Sequence, residues 1–153
     1  MSSVTDIYTK IETNLAATFS SKTVIPNPIS VSDNNDNILM DGQGFFMGAS
    51  SESDIDFPTY QVYQRDIHII LTRHVYRQDN DLSELGTAQK QLFEDQNTLL
   101  VALARDSDLC TSIIRGEFTG DSGIEFVYDG KFGHLKLQTT FVVHYKEDLT
   151  YSV

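Results

Sequence analysis

The 153-residue chain is poor in positive charge: 11 lysines and arginines stand against 22 aspartates and glutamates, a net charge of −11. A surface so acidic repels phosphate backbones and anionic lipid, which excludes direct nucleic-acid or membrane-surface binding as a main activity. There is one cysteine, Cys110. It can form neither an internal disulfide framework nor a cysteine-only metal cage, so the chain suits a reducing compartment. No run approaches the ~20 apolar residues of a membrane span, and the first residues lack the basic-then-apolar pattern of an export signal. A soluble protein, made and kept inside the cell, is expected. There is no Gly-Lys-Ser/Thr phosphate loop either. Gly42-Gln43-Gly44 with Gly48 misses the dinucleotide spacing because Met47 stands where a glycine is needed, so these glycines are read as a turn.

With 40% apolar side chains, the chain can bury one core, and a single domain over residues 1–153 is expected. Val4, Ile7, Tyr8, Ile11, Leu15 and Phe19 fall at helical spacing, and Pro26 and Pro28 are expected to end that helix. From Ile29 to Pro58, clusters of Ser, Asp, Asn and Gly flank the short apolar run Gly44-Phe45-Phe46-Met47. Short strands between exposed loops are expected there. Between Thr23 and Gln64 there are six acids and no lysine or arginine.

Tyr60 to Arg77 alternates apolar and polar residues, the strongest strand pattern in the chain. Eighteen residues at ~3.3 Å each would span roughly 59 Å, so the strand must bend, break at a bulge, or project. Asp81-Leu82-Ser83-Glu84 has capping-box spacing and opens a second amphipathic helix that runs to about Arg105. Ile113–Phe118, Ile124–Tyr128 and Phe132–Tyr145 then read as a three-strand meander, turned at Thr119–Gly123 and at Asp129-Gly130. The fold class is α+β: a mainly antiparallel sheet with two amphipathic helices packed on one face, plus a long loop region.

Tests for chemistry fail one by one. Asp33, Asn35 and Asn37 occupy the first calcium-loop positions, but Ile38 replaces the turn glycine and Gly44 replaces the bidentate glutamate, leaving a solvated polar loop with at most a casual calcium contact. His68 and His74 share a strand face, as do His134 and His144, but their spacings of six and ten residues are too wide for one strand to present two ligands. A metal site would need cross-strand pairing, and strand-surface or interface histidines are the default. Cys110 lacks a neighbouring histidine, and Gly48-Ala49-Ser50-Ser51-Glu52 misses the final glycine of a nucleophile elbow. No catalytic constellation, cofactor site or metal site is expected. Arg65, Arg73 and Arg77 bracket the apolar centre of the long strand. That arrangement fits salt bridges at the ends of a buried strand or, together with Tyr63, a subunit interface.

In its helix from Val4, its Asn/Asp-rich connection with Gly44-Phe45-Phe46, its long strand Tyr60–Leu71, its helix from Leu82 and its closing hairpins, the chain resembles the tail terminator (tail completion) proteins of long-tailed bacteriophages. The resemblance covers nearly the whole chain and rests on element order, without a diagnostic motif. It implies a virion protein, assembled in the host cytoplasm, that forms a ring of about six subunits on the last ring of tail-tube protein. The ring stops tube growth and presents the surface that joins the head or neck connector, while genome DNA passes through without specific binding. A related neck or head-tail joining subunit resembles this pattern equally. An acidic lumen would keep phosphates moving, and Asp33, Asp36, Asp41, Glu52, Asp54, Asp56, Asp121 and Asp129 are the candidates to face it. The rival readings are a small α+β enzyme or ligand-binding domain, and a monomeric adaptor that takes a peptide along a free strand edge.

Overall fold

The computed structural model describes residues 3–33, 40–55, 61–76, 83–103, 113–129 and 132–147. Its elements run α1 (Ser3–Thr18), β1 (Thr23–Val24), α2 (Pro28–Ser32), β2 (Gly42–Glu52), β3 (Gln61–Tyr76), α3 (Ser83–Leu103), β4 (Ile113–Asp129) and β5 (Phe132–Glu147). The strands form one sheet in the order β1-β2-β3-β5-β4. β1 runs parallel to β2, and every other pair is antiparallel. The chain is therefore α+β, with a mainly antiparallel sheet.

The alternating pattern of the long strand decides which face is inside. Ile67, Ile69, Leu71 and Val75 of β3 and Leu135, Leu137, Phe141, Val143 and Tyr145 of β5 are buried on one face. There they meet Ile7, Ile11 and Leu15 of α1 and Leu92, Leu99 and Leu103 of α3. Each fully buried aliphatic side chain contributes ~1.5–3 kcal/mol, so this layer is the main source of stability. A second, smaller core lies on the opposite face, where Ile25 and Val31 pack on Ile70. The short helix α2 is fastened there by a buried lysine. Lys136 Nζ donates to the carbonyls of Val31 and Ser32 at 3.1 Å each and pairs with Glu125 at 3.0 Å. Pro28 supplies the first turn of α2, a position where its missing N–H costs nothing.

Several expectations need correction. The first helix stops at Thr18, well before Pro26. The chain is turned there by the bond from Lys22 N to the Phe19 carbonyl, and is then held by buried Lys22, whose Nζ reaches Asp95 and the Thr72 carbonyl at 3.0 Å each. Pro28 begins a helix rather than ending one. Gly42 and Gly44 lie inside β2, not in a turn. An added Cβ would come within 2.9 Å of Ile25 and Thr72 at Gly42, and within 3.0 Å of Ile25 at Gly44. They are glycines because the β1 segment crosses close over them. The polar stretch Gly48–Glu52 is strand as well, so 42–52 is one strand where short pieces and loops were expected.

The expected meander of three strands is two. Thr119–Gly123 continues β4, which pairs with β5 along its length. Between Phe118 and Gly120 the strand takes two steps while β5 takes one, and between Asp121 and Ile124 it takes three while β5 takes two. These are single-residue bulges, made possible where Gly120 and Gly123 adopt positive φ of 151° and 72°. The long strand does not break: β3 stays paired with β5 from Gln61↔Glu147 to Tyr76↔Phe132. Its 16 residues span roughly 53 Å, against roughly 31 Å for the 21 residues of α3, so the sheet extends beyond the helix that covers it. The capping box at 81–84 and the end of the second helix fall outside the described residues.

Candidate functional site

The order β1-β2-β3-β5-β4 leaves two edges. β1 covers only Gly42 and Gln43 of β2, so among the described residues the outer edge of β2 from Gly44 to Glu52 has no neighbour, and neither does the outer edge of β4. β2 is antiparallel to β3, β3 to β5 and β5 to β4. The two open edges therefore run in opposite directions. Exposed strand edges with free backbone donors and acceptors are templates for pairing with another chain.

Each edge carries apolar surface on the helix-covered face. At the β2 edge, a cleft of about 380 Å3 opens between Tyr8, Glu12 and Ala16 of α1, the turn through Val24, Pro26 and Pro28, and Gly44 and Phe45. The Tyr8 and Phe45 rings lie 4.6 Å apart, centre to centre and tilted by 48°, and Val24 is 61% exposed. The cleft exists because β1 is two residues long and the prolines carry the chain away, so among the described residues nothing fills the angle between α1 and β2. At the β4 edge, two long helices cannot cover five strands. Phe118 and Phe126, paired in register with Phe141 and Leu135, are 48% and 39% exposed. Gln96 of α3 donates to Asp121 and Thr139, so that side of the helix looks toward β4, and exposed Phe93 lies one turn before it on the same side.

The four histidines all lie on the other face of the sheet. His74 and His134 are direct cross-strand neighbours, the pairing the sequence left open, whereas His68 opposes Thr140 and His144 opposes Gln64. Among the described residues no group of three His, Cys, Asp or Glu side chains is placed to hold a metal ion. No described helix is long and apolar enough to cross a membrane.

One cluster escaped the sequence reading. His144, 2% exposed, places Nδ1 2.7 Å from Ser53 Oγ and Nε2 3.2 Å from Arg115 Nη2. Arg115 also pairs with Glu117 at 2.7 Å and with Asp54 at 3.3 Å. The arrangement resembles a nucleophile and base, but its polarity is wrong for that chemistry. A guanidinium only donates, so Nε2 holds the lone pair and Nδ1 carries the proton, which it donates to Ser53 Oγ. That oxygen also accepts from Ile55 N at 3.1 Å. An activated serine needs the opposite arrangement, in which the ring takes the hydroxyl proton. Burial, followed by the charge of Arg115, lowers the pKa of His144 below its usual 6.5, which keeps the ring neutral. No motif announces this cluster, because its members come from the residues just after β2 and from β4 and β5, and meet only once register is fixed.

The predicted site residues are scattered. Arg73 is used within the chain, with Nε and Nη2 donating to Asp95 at 2.8 Å each and Nη1 lying 3.3 Å from Asp41. Asp95 raises its pKa further through those hydrogen bonds. Arg65 Nη1 donates to the Gly48 carbonyl at 3.0 Å, and half-buried Tyr63 lies 6.1 Å from Tyr145, ring to ring. The alternative of intramolecular salt bridges thus describes Arg73, and Arg65 is bound to backbone. Of the lumen candidates, Asp33 follows α2, Asp41 lies just before β2 where it accepts from Arg73 and the His74 amide, and Glu52 and Asp54 stand at the far end of that strand. Asp121 sits in the β4 bulge, where it accepts from Gln96 and Gly123, and Asp129 is the last residue of β4. Asp36, Asp56 and Arg77 lie outside the described residues. A scan against protein-family models finds no match, and a search of curated proteins finds none either.

Proposed function

We propose that this protein is a bacteriophage tail terminator: a ring-forming subunit that caps the tail tube, stops its elongation and offers the surface to which the head or neck connector joins. The observation that carries the reading is the sheet whose two edges, unpaired among the described residues, run in opposite directions. A copy turned about an axis roughly along the strands keeps each strand's direction, so β4 of one subunit meets β2 of the next in an antiparallel sense. Such head-to-tail contacts close into rings when the rotation divides a full turn. The net charge of −11 fits a channel that lets DNA pass without holding it. A related neck or head-tail joining subunit remains the nearest variant of the reading. The second reading, a small ligand-binding domain, is favoured only by the cleft beside Tyr8.

The test is the native mass of the purified protein with negative-stain images of the same sample, alone and with tail tubes. Rings of about six subunits that seat on tube ends support the terminator. A protein that stays monomeric and ignores tubes would remove it.

A further inference from the structure

We propose that the cleft between α1 and β2 is the seat for an aromatic side chain from the β4 edge of a second copy of this chain, Phe118 or Phe126, so that each subunit completes its neighbour's cleft. The occupant rests on the ring reading, whereas the seat itself is argued from the two edges.

Three observations bring these surfaces together. The first is direction: β2 and β4 are antiparallel within the sheet, so an incoming β4 continues the antiparallel pattern at Gly44–Glu52, where β1 has ended. The second is facing. Phe45 pairs with Ile69, and Phe118 and Phe126 pair with Phe141 and Leu135, all on the helix-covered face. When a sheet is continued across a junction its faces stay in line, so the β4 phenylalanines arrive on the side of Tyr8 and Phe45, where the cleft opens. The third is fit. About 380 Å3 holds an aromatic ring, and the lining is more apolar than polar, with Glu12, Gln43 and the Tyr8 hydroxyl among its polar groups. Aromatic anchors seated in pockets at the centre of an interface carry most of its binding energy. The exposed phenylalanines and the unfilled cleft are thus two halves of one contact. They cannot meet within a subunit because they stand at opposite edges of the sheet.

The β4 bulges contribute to this match. Each single-residue bulge reverses the alternation that follows it, and in register Phe118, Ile124 and Phe126 all oppose odd-numbered β5 residues on the core face. If pairing continued past Asp121 without the bulge, Phe126 would oppose His134 instead of Leu135, point to the other face and miss the cleft.

Two exposed substitutions separate the halves. Ala16→Lys places a charge in the cleft, and the double change Phe118→Lys with Phe126→Lys removes the anchors. Circular dichroism should match the parent protein for both variants, and the urea midpoint of Ala16→Lys should match as well because Ala16 is exposed. The two phenylalanines, 48% and 39% exposed, give up some packing and lower the midpoint of the double variant without unfolding it. Sedimentation of each variant alone should show association weakened at least tenfold. An equimolar mixture should give heterodimers and nothing larger, since only one good cleft and one good edge remain between them. Rings formed by either variant as well as by the parent overturn the seat and leave the terminator reading standing. Parent protein that stays monomeric with and without tubes overturns both. If the parent is monomeric but binds the dye 1-anilinonaphthalene-8-sulfonate in a way that Ala16→Lys abolishes, the cleft belongs to a small aromatic ligand and the seat is likewise overturned.

Discussion

Ser53 Oγ and His144 Nδ1 stand 2.7 Å apart, and the direction of their bond is set on the opposite side of the imidazole, where Arg115 Nη2 approaches Nε2 at 3.2 Å. The ring ties the end of β2 to β4 and β5 while remaining neutral. Burial and Arg115 disfavour its charged form, and Glu117 and Asp54 offset this only in part.

Stability should therefore fall with acid. The pKa of His144 is lower in the folded protein than the ~6.5 of an unfolded chain, so between these values the unfolded state binds more protons. The contribution is complete above about pH 6.5 and is lost progressively as the pH drops toward the folded value. Urea midpoints at pH 8, 6.5 and 5.5 should decrease in that order. In His144→Asn, whose amide can still donate to Ser53, this part of the decrease should be absent. An equal slope in variant and parent would show that other groups cause it.

Asp95 holds two cations at once, Lys22 at 3.0 Å and Arg73 at 2.8 Å. The Lys22 side chain is 3% exposed, and burial lowers its pKa against the pull of Asp95. Asp95→Ala leaves a buried ammonium with only the Thr72 carbonyl, and should cost about 3 kcal/mol. Lys22→Met removes the buried charge instead of stranding it, leaves Arg73 to pair with Asp95, and should cost clearly less. Equilibrium urea unfolding with unchanged m-values checks the ranking. Equal losses would contradict it.

Lys136 should matter locally. Its ammonium caps the Val31 and Ser32 carbonyls, and besides this the five-residue α2 is tied to the sheet through Val31 packed on Ile70 and Ser32 Oγ donating to Gln138 at 2.7 Å. Lys136→Met should free α2 at a cost of about 2 kcal/mol, the range for buried acceptors left unpaired. Native-state hydrogen exchange should then show lost protection at the amides of Val31 and Asp33, with those of Ile67 to Leu71 nearly unchanged. Uniform loss across the sheet would mean that Lys136 supports the whole fold instead.

How much of this was legible beforehand depended on the range of the interaction. The stripe Ile7, Ile11, Leu15 and the alternation through Ile67, Ile69 and Leu71 are local patterns, and both appear in the core as read. Glycine misled in two directions. Gly42 and Gly44 signal a turn locally, yet they are demanded by Ile25, a contact made across strands. Thr119–Gly123 carries the composition of a turn but is absorbed as bulges, because β5 runs straight past it and continued pairing satisfies the backbone. Arg73 and Asp95 are 22 residues apart and Ser53 and His144 are 91 apart, so no spacing rule joins them. The open edges follow only from strand order. The cleft likewise needs α1 packed beside β2 and a β1 only two residues long.

The same distinction between local signal and distant demand predicts opposite outcomes for two glycine-to-alanine changes. Gly86 lies in the exposed part of α3, and a Cβ there meets nothing within 4 Å. Gly86→Ala should raise stability by about 0.5–1 kcal/mol, since alanine loses less backbone freedom on entering a helix. At Gly44 the same methyl group comes within 3.0 Å of Ile25 Cβ and 3.1 Å of Pro28 Cγ. Both belong to the segment that turns away from β2 and walls the cleft, so that segment must be displaced. Gly44→Ala should cost about 1–3 kcal/mol by overpacking. It should also weaken self-association, because the wall it displaces is where the neighbour's phenylalanine sits. Thermal melts and sedimentation of the two variants read both effects, and a Gly44→Ala protein that assembles normally despite its lower midpoint would separate the packing of β1 from the seat.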